Sequence, residues 1–500
     1  MASSVPGQRL CAAVAVFMFA STTRVSVLEA QDSTSRAPDV VCASRPGERQ
    51  TCAANTGAGV TLLRTVGSAV CELGISWGYD QKNIWVSDGC SAEFAVGQGG
   101  GKSWGTYNPG TGFKVANTDK GDLNITIYGY VRYLNQLGLD STYTDAFGNT
   151  RTLDRRQDIQ LQKVNIQFLG WLMSPKFRYL LYVWTSNVSM GLGAQVVVGG
   201  NFQYNANKHV AVGAGIAALP GVRATEGNFP YWRTVDNRLI ADEFFRPSYT
   251  TGIWAKGKVV DRLSYHVMLG NNLSQLGVDA GQLDNGLNTV STAIVWLPTT
   301  GEFGPRGNFG DFEHHDTLAT RLGAHYTYSQ ENYQGQPDND DFENVQIRLS
   351  NGGIIFTPGL FGTDIWVQDA VYQMSSLDFG LKYHGFALEG EHYWRWVDNF
   401  RGPNTAGLES LFDTGFQLQA SAMVIPAVLQ GYVSGSRVYG EYGDPSDFRI
   451  GANWYPWSNH VVRWNAEYLH LNRSPVGGLS LPYVVGGNGS VFYTSFEVNF

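Results

Sequence analysis

The last ten residues of the chain, Val491 to Phe500, alternate without interruption. Phe492, Thr494, Phe496, Val498 and Phe500 fall on one face, and Tyr493, Ser495, Glu497 and Asn499 on the other. This period of two predicts a strand with one apolar and one polar side. A strand at a chain end has little to pack against unless it closes a sheet, and a membrane barrel closes there. The same alternation predicts strands over 123–133, 158–172, 176–188, 194–204, 209–218, 248–258, 262–270 and 288–297. It continues over 317–329, 372–383, 385–397, 413–424, 428–440, 446–455 and 460–471. Tight turns and long polar loops join these segments in alternation, as in outer-membrane barrels. In the first strand, Ile125, Ile127, Val131 and Tyr133 are assigned to lipid, and Thr126, Tyr128, Tyr130 and Arg132 to the lumen. Trp394, Trp396, Trp454, Tyr455 and Trp457 sit at strand ends, where an aromatic girdle belongs. The connection between 297 and 317 is longer than the pattern explains.

The predicted fold class is therefore all-β: an antiparallel transmembrane barrel of about sixteen strands, preceded by a small disulfide-bonded β module. Residues 1–30 read as a secretory signal, with Arg9 as the positive charge, Leu10 to Ala20 as the apolar stretch and small residues up to Ala30. No later run reaches the roughly 18 apolar residues a membrane helix needs. The exported chain is then either soluble or a barrel, and composition favours the barrel. Gly 60, Tyr 25, Phe 26 and Trp 14 with 16% charged residues is what alternating lipid and lumen positions produce. A net charge of -8 argues against a nucleic-acid partner.

Cys42, Cys52, Cys71 and Cys90 fall within 40–98, a segment too small to hold a core unaided. In an exported chain they read as two disulfides, with three pairings open. A zinc site would call for Cys-x-x-Cys pairs, which are absent. The Gly-rich stretch 99–121, with the turn Asn108-Pro109-Gly110, reads as a linker and 122–500 as the barrel. The string Cys71-Glu-Leu-Gly-Ile-Ser-Trp-Gly-Tyr-Asp80, with Gly89-Cys-Ser-Ala-Glu-Phe94, resembles a family of small exported bacterial domains of unknown function. The resemblance implies a periplasmic β module and no defined activity. Trp77 and Tyr79 are read as its core rather than as a sugar platform.

From about 112 to the end, the chain resembles the phosphate-selective porin family. The matching stretches are Gly112-Phe-Lys-Val with Ile127-Tyr-Gly-Tyr-Val-Arg132, Ala241-Asp-Glu-Phe-Phe-Arg-Pro-Ser-Tyr249, and Ile450-Gly-Ala-Asn-Trp-Tyr455. The resemblance implies a homotrimer of barrels in outer-membrane lipid, each pore narrowed by an infolded loop.

If the alternation holds, Arg132, Lys163, Arg178, Arg321, Lys382, Arg395, Arg449 and Arg463 face the lumen. Such cations favour anions, and arginine holds phosphate oxygens in pairs. Asp378, Glu389, Glu391, Glu467 and Glu497 share that surface, so the basic excess is modest and no dense ladder of cations is present. The constriction is sought in 219–247, where Arg223, Arg233, Arg238 and Arg246 interleave with Glu226, Asp236, Asp242 and Glu243. A solvated outer loop is the competing reading of that segment. His314 and His315, with Glu313 and Asp316, are read as loop residues, because neighbours on a strand point to opposite faces. No catalytic motif, cofactor or metal site is assigned. The expected function is an outer-membrane porin for passive diffusion of small hydrophilic solutes, anions such as phosphate among them, with the module in the periplasm and a periplasmic or cell-wall partner for it. Two other readings stay open: a secreted polysaccharide-binding protein or hydrolase, and a plugged barrel that anchors the module.

Overall fold

The computed structural model describes residues 40–54, 56, 60–67, 69, 71, 76–79, 82–96, 106–108, 112–186, 195–225, 238–274, 286–304, 307–335, 347–478 and 481–499, and the structural statements below concern these. The expected signal segment and Phe500 lie outside them.

The N-terminal module consists of β1 (Val40–Ala43), β2 (Arg49–Ala53), β3 (Val60–Thr65), β4 (Trp77–Tyr79), β5 (Asn83–Ser87) and β6 (Ser91–Val96). They form two three-stranded sheets, ordered β1-β6-β3 and β2-β5-β4. The disulfides are Cys42–Cys52 and Cys71–Cys90, which settles the pairing the sequence leaves open. Trp77, Ile84, Val86 and Phe94 form the core, with the Trp77 and Phe94 rings 4.9 Å apart. A core this small gains much of its stability from the cross-links, about 2–5 kcal/mol for each native disulfide.

Part of the segment read as a linker is instead a hairpin. Its strands β7 (Thr106–Asn108) and β8 (Gly112–Asn117) pair with each other, and β8 pairs onward with the first barrel strand, Phe113 opposite Ile125. Gly112, at φ 71°, adopts a left-handed conformation that a side chain would oppose. The surrounding glycines obscure this short alternation in the sequence.

The barrel begins with β9 (Gly121–Leu139), beyond which β10 (Thr142–Thr144) and β11 (Thr150–Thr152) form a small hairpin. It continues through β12 (Gln157–Leu172), β13 (Ser174–Ser186), β14 (Gln195–Asn207), β15 (Val210–Ala218), β16 (Tyr249–Val260), β17 (Leu263–Gly270) and β18 (Thr289–Trp296). Then come β19 (Ala319–Asn332), β20 (Asp369–Tyr383), β21 (Phe386–Arg401), β22 (Leu411–Ile425), β23 (Leu429–Tyr439), β24 (Ser446–Trp454), β25 (Val462–Asn472) and β26 (Gly489–Asn499). Together with β9 these make a closed antiparallel barrel of sixteen strands, sealed where β26 pairs with β9, Phe496 opposite Val131. Each predicted strand is present, displaced by a few residues at its ends.

One end of the barrel carries tight turns, such as His384-Gly385 between β20 and β21; the other carries the long connections. Two connections break the tight-turn rule: 297–318, between β18 and β19, and 455–461, between β24 and β25. Side chains alternate across the wall as a pleated sheet requires. Ile253, Ile294, Leu377, Leu418, Ile450 and Phe496 point outward and are exposed, so an apolar belt surrounds the barrel. Trp396, Trp454 and Trp457 are exposed near its rims, but Tyr455, next after the outward Trp454, takes the opposite face and packs inward against the Phe312 ring, 4.8 Å away.

The interior is not an open, uniformly polar lumen. Beside β20 to β26, at the long-loop end, the wall contributes Tyr372, Tyr393, Val397, Val438, Leu469 and Tyr493 to one apolar core. Infolded segments complete it: Val222 and Ala224, the short helix α1 (Ile240–Phe245), Ile347 to Phe356, and Val476, Leu481 and Tyr483.

Candidate functional site

The connection between β15 and β16 enters the barrel and holds its position through polar contacts with the wall. The N–H of Ala241 donates to Ser436 Oγ (3.0 Å) and that of Ile240 to Asp447 Oδ2 (3.4 Å), so wall acceptors satisfy amides that a helix start leaves unpaired. Arg246 forms a two-pronged pair with Glu243 at 2.8 and 2.9 Å. Arg238 lies 3.6 Å from both Asp242 and Glu243, and its carbonyl accepts from Arg449 and Tyr483. Burial, with Glu391 and Glu243 near, outweighs Arg238 and Arg246 and pushes the Asp242 carboxyl up to about 7. Arg233, Asp236 and Glu226 lie outside the described residues.

Deeper in, Arg223 donates to Glu389 at 2.7 Å and lies with its guanidinium 4.2 Å from the Phe309 ring centroid. It also donates to the carbonyl of Gly307 (3.4 Å). Gly307 and Phe309 belong to the connection 297–318, which enters from the tight-turn end. Lys382 donates to Phe303 O (2.9 Å) and Asn308 Oδ1 (2.6 Å), and Gly310 N–H donates to Glu389 Oε2 (3.1 Å). Loops from opposite ends thus meet inside the barrel and fill the side bounded by β20 to β24.

The eight predicted wall cations all lie on the inner surface, but most are engaged there. Arg321 pairs with Asp378, Arg395 with Asp413 and Arg463 with Glu497, each at 2.7 Å; Arg449 pairs with Asp447 at 2.8 Å. Arg132 donates to Gln160 at 2.6 Å. Arg395 also donates to the carbonyls of Arg348 (2.7 Å) and Phe244 (3.3 Å), fixing two infolded segments at once. Buried pairs with this geometry hold structure, and a passing anion would have to displace a carboxylate to reach them.

Lys163 and Arg178, together with the paired Arg321, border a cavity of about 890 Å³ on the side of β12 to β18. Its wall comes mainly from β12 to β18. It reaches Gly478 and Leu481 of the last long loop at one end and Asp88 of the module at the other. Lys256 and Lys258 also line it, with Tyr182, Trp184 and Trp254 as its aromatic surface. The Lys163 ammonium lies 4.3 Å from the Trp184 ring centroid. Glu243, Glu302 and Asp88 are the carboxylates on its border. The module meets the rim of this cavity: Lys208, in the turn after β14, pairs with Asp88 at 3.2 Å.

Lys256 and Lys258 are absent from the sequence-based set, although the alternation in 248–258 places them on the face of Trp254. The engagement of Arg395 and Arg463 follows from the strand register, which sets each directly opposite its carboxylate.

Residues 18–120 match a family described as a protein of unknown function, DUF3011. No curated protein sequence matches the chain. Among solved structures, the chain is similar to outer-membrane expressed OmpT of Vibrio cholerae, at 8% identity and a TM-score of 0.47 over 77% of this chain and 99% of that one. It is similar to the outer membrane channel DcaP of Acinetobacter baumannii, at 8% identity and a TM-score of 0.46 over 77% and 99%. A third is Salmonella typhi OmpF, in complex with daunomycin, at 12% identity and a TM-score of 0.44 over 77% and 100%. At these values the pore chemistry has to be read from this chain's own residues.

Proposed function

We propose that the protein is an outer-membrane channel that passes small hydrophilic anions along one side of a lumen otherwise filled by its own loops. The observation that carries this reading is the cavity of about 890 Å³, which borders a long-loop residue, Leu481, and a module residue, Asp88. Lys163, Arg178, Lys256 and Lys258 supply positive charge along it, and in a narrow space walled by protein and lipid that charge favours anions. The outward apolar belt supports a membrane setting, since a continuous apolar surface of this kind is a liability in water. On this reading the tight-turn end and the module face the periplasm, which an even number of strands supports. Phosphate falls within the solute class, without a dense ladder of arginines to single it out. A homotrimer is the assembly this reading implies, and the native mass in detergent tests it.

A second reading has its own support: loops meeting at Arg223 and Gly307, with the module at the rim, describe a plugged anchor equally well. Swelling of liposomes containing the purified full chain separates the two. The channel reading predicts faster swelling in gluconate than in a neutral sugar of similar size. Absence of swelling in either solute would favour the anchor.

A further inference from the structure

The connection 297–318 contributes to two groups of ligand-type side chains, and one of them is tied together by hydrogen bonds within the connection. His315 bonds Asp311 through Nδ1 and Glu302 through Nε2 (3.1 Å), while Glu313 accepts from Asn308 (3.0 Å). That set is a hydrogen-bond network which supports the loop.

The second group, His314, Asp316 and His384, faces away from it on the tight-turn end. One ligand atom from each of the three lies within 4.8 Å of the other two. The histidine rings are 5.5 Å apart, and His384 Nδ1 is 3.9 Å from Asp316 Oδ1, with both side chains substantially exposed. His314 and Asp316 come from the connection and His384 from the turn between β20 and β21, and the two segments are held in fixed relation. The His384 N–H donates to the His315 carbonyl at 2.8 Å, and the Gly385 N–H donates to Asp311 Oδ2 at 2.7 Å. Both histidines adopt left-handed backbone conformations, at φ 59° and 47°, which non-glycine residues rarely take. These conformations, in two different turns, bring both rings to one spot.

We propose that His314, Asp316 and His384 form a zinc-class divalent metal site joining the infolded connection 297–318 to the turn between β20 and β21. Two imidazoles and one carboxylate suit a borderline ion such as Zn²⁺, with a fourth position left for water. The expectation that the adjacent His314 and His315 could not share an ion is compatible with this, because the second imidazole comes from His384. The bound ion would fasten the inner loop to the wall where its backbone already contacts it. The proposal goes beyond the channel reading and does not depend on it.

The test is calorimetric titration of Zn²⁺ into the full chain in detergent, free of any purification tag. One site per chain with micromolar affinity is expected, weakened at least tenfold in His314→Ala and in His384→Ala and less in Asp316→Asn. His209→Ala, an exposed histidine elsewhere, should bind as the parent does. Co²⁺ should give visible absorption bands that His384→Ala abolishes, and circular dichroism reports whether each variant keeps its barrel. No Zn²⁺ binding, or equal affinity in folded His314→Ala and His384→Ala variants, would overturn the assignment.

Discussion

Arg223, from a loop that enters at one end of the barrel, donates to Glu389 on the wall at 2.7 Å, and both side chains are 1% exposed. The pair lies where that loop meets the connection arriving from the other end. Removing one partner leaves a buried charge uncompensated, at a cost of about 3–5 kcal/mol. Arg223→Ala should therefore loosen the contact between the loops and raise single-channel conductance severalfold. Arg223→Met combined with Glu389→Leu should recover stability, because an apolar pair of similar volume can replace a buried ion pair. Unfolding midpoints in urea and planar-bilayer currents check both variants.

The lipid face gives a second prediction. Ile450 is 55% exposed on the outside of β24, near its middle. Ile450→Arg should destabilise the barrel in lipid by roughly 2–4 kcal/mol, falling toward zero for the same change near a rim. Reversible unfolding in lipid vesicles measures the difference. An unchanged midpoint would mean that Ile450 does not face hydrocarbon.

Alternation made the barrel legible because every spanning strand obeys one physical rule, apolar outward and polar or packed inward. The strand at 372–383 and the closing strand at 490–500 could be placed on that basis. The infolding of 297–318 and of Ile347 to Phe356 was hidden, since both owe their position to contacts with distant wall residues such as Lys382 and Arg395. Their glycine-containing sequences carry no strand-type alternation of period two. The pairing of wall cations such as Arg395 with Asp413 depended on register, which alternation leaves undetermined.

The module should respond to disulfide loss independently of the barrel. Cys71→Ser with Cys90→Ser should cost about 2–5 kcal/mol and expose residues 40–96 to protease. The barrel's heat-dependent shift on gel electrophoresis should persist. Limited proteolysis followed by mass determination of the fragments reads both effects.

Asp242 gives a pH dependence. Its folded-state pKa, raised to about 7 chiefly by burial, lies above the ordinary value of 3.8. The contribution it makes to stability is complete below the ordinary value and is lost as pH rises through 7. Between pH 6 and 8 the infolded loop therefore gains negative charge beside Glu243, and anion preference should fall modestly over that interval. Asp242→Asn should flatten the response, as reversal potentials at a series of pH values would show.

In the proposed pore, Lys163, Arg178 and Lys256 bias passage toward anions. The most direct measurement is the reversal potential of single channels under a salt gradient, for the parent chain and for Lys163→Gln, Arg178→Gln and Lys256→Gln combined. Stable conductance with anion preference is expected in the parent, reduced toward neutrality in the variant. Cation preference in the parent, or membrane insertion without conductance, would contradict it.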